Sequence, residues 1–338
     1  SLYERYDVKQ EHKIKCILHY FERTCSEMPM GNVSYERKVL PLQNSQSNIV
    51  YPEADFWSKS TVSLCRLEAR TSGLIEDQPA EALEVDFANK SIGGGALRHG
   101  CVQEEIRCMI NPELIVARLF LPSMADNEAI EIVGAERFSN YSGYAASFRF
   151  CGDHVDQRVS IQWEGVGRGL LQLMHLADLE RDNTQLNASF VKLIRHFVAF
   201  LISIKVNNIK CNLRKMDSNG FWQLRLIKSV EWHQKGNWGC GAFWGDPEVK
   251  AIIQWLAASQ ALRPFMLYYT FNLEALQKLD LVVQWILSQG WTVGEVWNIL
   301  VEYSTQRLKR QTKIGFFNWL LPSLYNVDPM ILDVANAM

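Results

Sequence analysis

This chain of 338 residues lacks most of the features that assign a function at a glance. It has no charge excess: Lys plus Arg number 35 and Asp plus Glu 37, a net charge of −2. Proteins that bind nucleic acid by neutralising phosphates are far more basic, so no duplex nucleic-acid binding is expected. An anionic ligand has to be held locally, by backbone amides and helix N-termini. The longest apolar run, "FVAFLISIKV" at 197–206, is about half the length of a membrane span and reads as a buried helix or strand. None of the eight cysteines (Cys16, Cys25, Cys65, Cys101, Cys108, Cys151, Cys211, Cys240) forms a C-x-x-C pair, and "HVD" at 154–156 is isolated. A metal site and a cofactor are therefore not expected, and the thiols read as reduced. Neither G-x-G-x-x-G nor G-K-[ST] occurs, which disfavours nicotinamide enzymes and P-loop NTPases. No signal peptide, internal repeat or low-complexity linker is evident, and an intracellular protein is expected.

What is present is an ordinary globular composition, 48% apolar and 21% charged, sufficient for a large core. "HKIKCILHYFER" at 12–23 has helical spacing, and "NVSYERKVLP" at 32–41 alternates like a strand. "EALEVDFAN" (81–89), "EAIEIVGAE" (128–136), "YAASFRF" (144–150) and "FMLYYTF" (265–271) read as further strands. "GDPEVKAIIQWLAASQAL" reads as a helix with Asp246 as N-cap and Pro247 at its first position. "LEALQKLDLVVQWILSQG" reads as a helix ending at Gly290, and "TVGEVWNILVEY" opens with the capping box Thr292–Glu295. The apolar "IGFFNWLLPSLY" at 314–325 reads as a segment docked on the core rather than lying on a membrane. Strands and helices alternate, so the fold class is α/β, with helices on a largely parallel or mixed sheet.

The candidate chemistry lies where the strand at 81–89 runs into Gly93, Gly94 and Gly95, ten residues upstream of "QEE". A run of glycines is entropically expensive to order, so a close approach to that backbone is expected. A strand, a glycine loop and a helix in succession can present N–H groups to phosphate or ribose oxygens. A second cluster, "GNWGCGAFWGD" at 236–246, leads into the helix capped by Asp246, and the two loops could grip one pyrophosphate. Glu105 lies in helical phase with Val102 and Met109, so partial desolvation, and with it a raised pKa and a proton-donor role, is expected of it. Glu104 and Glu105 point about 100° apart and cannot face one another across a single anomeric carbon. Acids at a helix start also suit the macrodipole, and for an isolated Glu–Glu pair that plain reading is the favoured one.

The spacing GGG, seven residues, QEE, together with "VDFAN", "QEEIR", "INPELI", "YSGYA", "GNWGCGAF" and "YYTF", resembles the poly(ADP-ribose) glycohydrolase family. The likeness is dense over 85–147 and 236–303 and poor over 152–235, where a divergent insertion is expected. The long helical region that precedes the catalytic core in animal members is not evident. The resemblance implies a macrodomain-like mixed sheet flanked by helices, with additional helical segments. The whole chain is expected to be a single catalytic domain. It would comprise a helix/strand extension (1–70), the core (71–303) and a C-terminal segment packed on that core (304–338).

The family's activity, carried over, is hydrolysis of the ribose–ribose bonds of poly(ADP-ribose). Glu105 resembles the acid that protonates the departing 2′ oxygen; an oxocarbenium-like ribose forms and water attacks it. Glu104 and Asn89 resemble the groups holding the ribose hydroxyls, and Asp86 the third essential acid. Gly93, Gly94 and Gly95 match the catalytic loop, and Gly239, Cys240, Gly241, Ala242 and Phe243 the diphosphate loop. Ile75, Glu76 and Gln103, with Tyr144 stacking on the base, match the adenine site; Asn237 and Phe271 match positions lining the adenosine and distal ribose. The implied partners are poly(ADP-ribose), ADP-ribose and ADP-ribosylated proteins, with no membrane, for a monomer in the nucleus and/or cytoplasm. Two alternatives stay open: a module that binds ADP-ribose without cleaving it, and a hydrolase of another ADP-ribosyl linkage.

Overall fold

The computed structural model describes residues 1–4, 6–39, 54–77, 83–125, 128–155, 172–177, 232–235 and 245–321. The apolar run at 197–206, most of the expected insertion and the loop at 236–244 lie outside the described residues. In chain order the elements are α1 (Val8–Ser26), β1 (Ser34–Val39), α2 (Ala54–Ser58), β2 (Arg66–Arg70), β3 (Leu83–Ala88), α3 (Gln103–Ile110) and α4 (Glu113–Val116). There follow β4 (Glu128–Val133), β5 (Ser139–Ser142), β6 (Arg149–Asp153), β7 (Gln172–Ala177) and β8 (Trp232–Lys235). The last are α5 (Pro247–Gln260), β9 (Phe265–Tyr269), α6 (Leu279–Ser288), α7 (Val293–Leu308) and α8 (Phe316–Leu320). Contacts divide the chain into two compact units, one of Ser1–Tyr51, Leu74–Glu180 and Lys192–Lys235, the other of Pro52–Gly73, Arg181–Val191 and Gly236–Met338.

The first unit is built on a mixed sheet in the order β1-β4-β7-β3-β8. β1 and β7 flank β4 antiparallel, while β7 and β8 flank β3 in parallel. Central position shows in the residues: β4 buries Ala129, Ile130, Glu131 and Ile132 in succession, as a strand covered on both faces must. β3 buries Glu84, Val85, Asp86 and Ala88, so two carboxyl groups enter the interior on one short strand. Helix α1 starts at Asp7, whose carboxylate accepts the Lys9 N–H, and buries Gln10, Lys13 and Cys16 along one stripe. Cys16 joins Ile106, Cys108 and Met109 of α3, Ile130 and Ile132 of β4, and Phe148 in one core cluster. The six described cysteines are free thiols.

In the second unit β2 pairs in parallel with β9. Helix α5 begins as its sequence requires, with Asp246 accepting the N–H groups of Glu248 (3.0 Å) and Val249 (3.2 Å) and Pro247 at the first position. Helix α7 carries the capping box, the Glu295 carboxylate accepting the Thr292 N–H at 2.7 Å. The apolar stretch at 314–321 docks rather than lying free: Phe316 and Phe317 are buried, and the Phe317 N–H donates to Glu248. No helix among the described residues is long and apolar enough to cross a membrane.

Two expected elements are shorter than their periodicity suggested. The strand at 144–150 starts only at Arg149, because Gly143 and Ala145 take left-handed backbone (φ 74 and 52) and Ala145–Ser147 form a 3₁₀ turn. The helix at 273–290 is a 3₁₀ turn at Glu274–Leu276 followed by α6. Phe271 and Asn272 just before it are also left-handed (φ 51 and 56), and local side-chain spacing carries no record of such backbone.

Candidate active site

Helix α3 and the loop that follows β3 face each other across the two glutamates. The helix is buried almost all round, from Glu104 to Ile110, so apolar phase did not distinguish one carboxyl from the other: Glu104 is 5% exposed and Glu105 7%. Each is gripped by backbone. Glu104 accepts the Gly93 N–H and the Asn89 N–H, both at 2.8 Å. Glu105 accepts the Gly95 N–H at 2.9 Å and, as half of a capping box, the Val102 N–H at 2.9 Å.

The glycines therefore serve a different acceptor from the one expected. The N–H groups of Gly93 and Gly95 point at carboxylates, and that of Gly94 at the Ser91 carbonyl (3.0 Å), rather than outward to a phosphate. The absence of side chains is a steric necessity here. A Cβ on Gly94, which has φ +44, would lie 2.6 Å from a Glu104 oxygen and 2.8 Å from a Glu105 oxygen. A Cβ on Gly100, a residue not singled out above, would lie 2.6 Å from Glu105 Oε1 and 2.9 Å from Gly95 Cα.

Asp86 is fully buried on β3, and its charge is felt at Glu104. Burial first, and then the Asp86 carboxylate, push the Glu104 carboxyl well above the usual carboxylate range, against the opposing pull of the Asn89 and Gly93 N–H groups. The sequence argument did not anticipate this lift of Glu104. Its partner in raising the pKa lies on a different element, out of reach of helical phase. Below these carboxyls Arg107 of α3 forms a buried ion pair with Glu84 of β3 at 2.5 Å, tying helix to strand.

The residues matched to an adenine site also gather in the first unit. Ile75 is buried, and the buried Glu76 accepts a hydrogen bond from the Tyr141 hydroxyl. Gln103 opens α3, and Tyr144 is about half exposed (49%) at the head of the 3₁₀ turn. Burial raises the Tyr144 hydroxyl's pKa, and the Gln103 backbone opposes that rise, so the two residues are neighbours. Asn89 is exposed beside the loop, its side-chain oxygen accepting the Ser91 N–H at 3.0 Å. Phe271 belongs to the second unit, next to Tyr269 at a ring separation of 6.0 Å. Asn237, Gly239, Cys240, Gly241, Ala242 and Phe243 lie outside the described residues.

Three further residues bear on the site without having been singled out. Tyr141 fixes Glu76; it stands inside the quoted "YSGYA", but nothing local signals a partner 65 positions away. Arg118 donates to the Gly94 carbonyl at 3.3 Å. Lys13 reaches the far limb of the loop from α1; its spacing of three from Cys16 in an apolar stripe was the available signal.

With this geometry in place, the relatives of the chain can be set beside it. The family model described as poly(ADP-ribose) glycohydrolase, macro domain fold, matches residues 54–278, and the helical-domain model of the same description matches residues 1–37. The second match assigns residues 1–37, with α1 among them, to that helical domain. Poly(ADP-ribose) glycohydrolase 1 of Arabidopsis thaliana is 48% identical over 377 aligned residues, covering 98% of this chain and 67% of that protein. Probable poly(ADP-ribose) glycohydrolase 2 of the same plant is 44% identical over 338 residues, covering 95% and 65%. Poly(ADP-ribose) glycohydrolase 1 of Caenorhabditis elegans is 29% identical over 298 residues, covering 85% and 35%. The chain thus spans about two thirds of the length of the plant relatives.

Proposed function

Because this chain belongs to the poly(ADP-ribose) glycohydrolase family and carries that family's macro domain fold, we propose that it cleaves the ribose–ribose bonds of poly(ADP-ribose) and releases ADP-ribose. The observation that carries the reading is the pair of buried, backbone-gripped carboxyls on α3 beside the glycine loop. An acid held by two N–H groups has little rotational freedom, which suits a proton transfer that needs one fixed direction.

In this reading Glu105 gives its proton to the departing 2′ oxygen, the bond from that oxygen to C1″ of the distal ribose breaks, and an oxocarbenium-like distal ribose forms. Water adds to C1″ and returns its proton to Glu105, so the acid is regenerated. Glu104 and Asn89 hold ribose hydroxyls, with the buried Asp86 of β3 as the third acid whose charge acts on Glu104. Glu76, oriented by Tyr141, and Gln103 read the adenine edge, with Tyr144 against its face. The partners are poly(ADP-ribose) and ADP-ribosylated proteins, and the compartment is the nucleus and/or cytoplasm.

The lifted carboxyl of Glu104 favours a second assignment, in which Glu104 donates the proton and Glu105 holds the ribose. Separate Glu104→Gln and Glu105→Gln variants decide between them, because only loss of the donor lowers turnover while sparing ADP-ribose binding. The function itself is tested by chromatography of the products from long polymer. Free ADP-ribose is expected. No product at all supports a binding module, and release only of a terminal protein-linked unit supports a different linkage.

A further inference from the structure

Helix α1 carries a lysine with no access to solvent. Lys13 is 0% exposed, and its ammonium donates to the carbonyls of Arg98 (2.7 Å) and Gly100 (2.6 Å). A buried ammonium is tolerated only where charge and hydrogen bonds compensate it. Here the compensation comes from the loop beside Glu105, and the proposed chemistry makes no use of the lysine.

The connection from Lys13 to the acid is short. Gly100 donates to the Gly95 carbonyl at 3.1 Å, and Arg98 donates to the same oxygen at 2.8 Å, so the 95–100 stretch closes on itself. One limb of that turn supplies the Gly95 N–H to Glu105; the other, at Gly100, walls in the same carboxylate oxygen. Lys13 grips the walling limb on both sides of His99. Gln10, one turn earlier on α1 and also buried, meets the His99 ring at 3.5 Å. We infer that Lys13 is a positioning residue for the hydrolysis: from α1 it ties the 98–100 limb and so holds Glu105 where its proton transfer requires it.

This inference rests on Glu105 as the proton donor. It also gives the charge on Lys13 a role. Burial pushes the ammonium down to about 8. Facing it is Glu105, whose charge favours the protonated form, with Lys9 opposing and Asp7 favouring from α1 and its cap; the neighbouring Cys101 thiol, raised by burial, stays neutral in this range. Loss of the charge weakens both charge-assisted bonds to the loop, so turnover is expected to fall as pH rises through about 8.

The test follows ADP-ribose release from long polymer by the full chain as a function of pH. Lys13→Met fills the same space without charge or donors. It is expected to bind ADP-ribose within about threefold of the parent while kcat falls at least about tenfold, since misplacing a catalytic group by about 1 Å can cost about a hundredfold. Its remaining activity should lack the alkaline fall near pH 8. Lys15→Met, at an exposed position on the same helix, should match the parent. If Lys13→Met does not fold, Lys13→Arg replaces it: a guanidinium keeps its charge, so the alkaline fall should move upward. A folded Lys13→Met with kcat within twofold of the parent, or a folded Lys13→Arg whose alkaline fall stays in place, overturns the inference. A parent that releases no ADP-ribose overturns the proposed function instead.

Discussion

A methyl group at Gly100 separates the position of Glu105 from its chemistry. In Gly100→Ala the new Cβ would stand 2.6 Å from Glu105 Oε1, 2.7 Å from its Cδ and 2.9 Å from Gly95 Cα. The Gly95 side is backbone, already closed on Gly100 by a hydrogen bond, and yields little. The carboxylate must therefore retreat by about 0.8 Å to regain ordinary contact. That displacement stretches the 2.9 Å bond from the Gly95 N–H. A catalytic group moved by about 1 Å can cost about a hundredfold in rate, and overpacking costs about 1–3 kcal/mol of stability. Expected is a kcat reduced about a hundredfold, with ADP-ribose binding largely kept and the urea midpoint modestly lowered. Gly152→Ala is the matched control: its Cβ meets nothing within 4 Å, but its φ of +94 strains any side chain. It should lose about 1–2 kcal/mol of stability and no turnover. A folded Gly100→Ala whose kcat lies within threefold of the parent would refute the claim that the loop positions the acid.

Glu105→Gln should lose at least about a hundredfold in turnover while binding ADP-ribose within about tenfold. It should also lose about 1–3 kcal/mol of stability, because the new NH₂ must face either the Gly95 or the Val102 N–H and leave that donor unpaired. Near-parental cleavage would move the acid to Glu104, the second assignment, with Asp86 the candidate after it. For Glu104 the native state raises the pKa, so its contribution to stability is whole at pH below the ordinary carboxylate value and drains as pH rises towards the lifted one. Urea midpoints between about pH 5 and pH 9 should decline more steeply in the parent than in Glu104→Gln, and parallel curves would show that Glu104 is not lifted.

Local chemistry determined the parts of this protein that depend on near neighbours. Asp246 followed by Pro247, and Thr292 three residues before Glu295, set helix starts because a cap and the N–H it satisfies lie within one turn. The glycine run after β3 was legible as a place of close approach, since only glycine tolerates such backbone at no steric cost. What approaches it was not legible. The amides turn to Glu104 and Glu105 because α3 folds back over the loop, and that depends on the packing of Ile106, Cys108 and Met109 into a core shared with β4 and α1. The same holds for the lift of Glu104: Asp86 reaches it from another element, and Coulomb interactions follow distance in space rather than in sequence. Tyr141 meets Glu76 across 65 positions, and Lys13 meets Arg98 across 85. Residue types and short spacings thus determined the family, the caps and the candidate acids. Tertiary packing alone decided which acid is held by which amide, because burial and long-range contact exist only once the chain has folded.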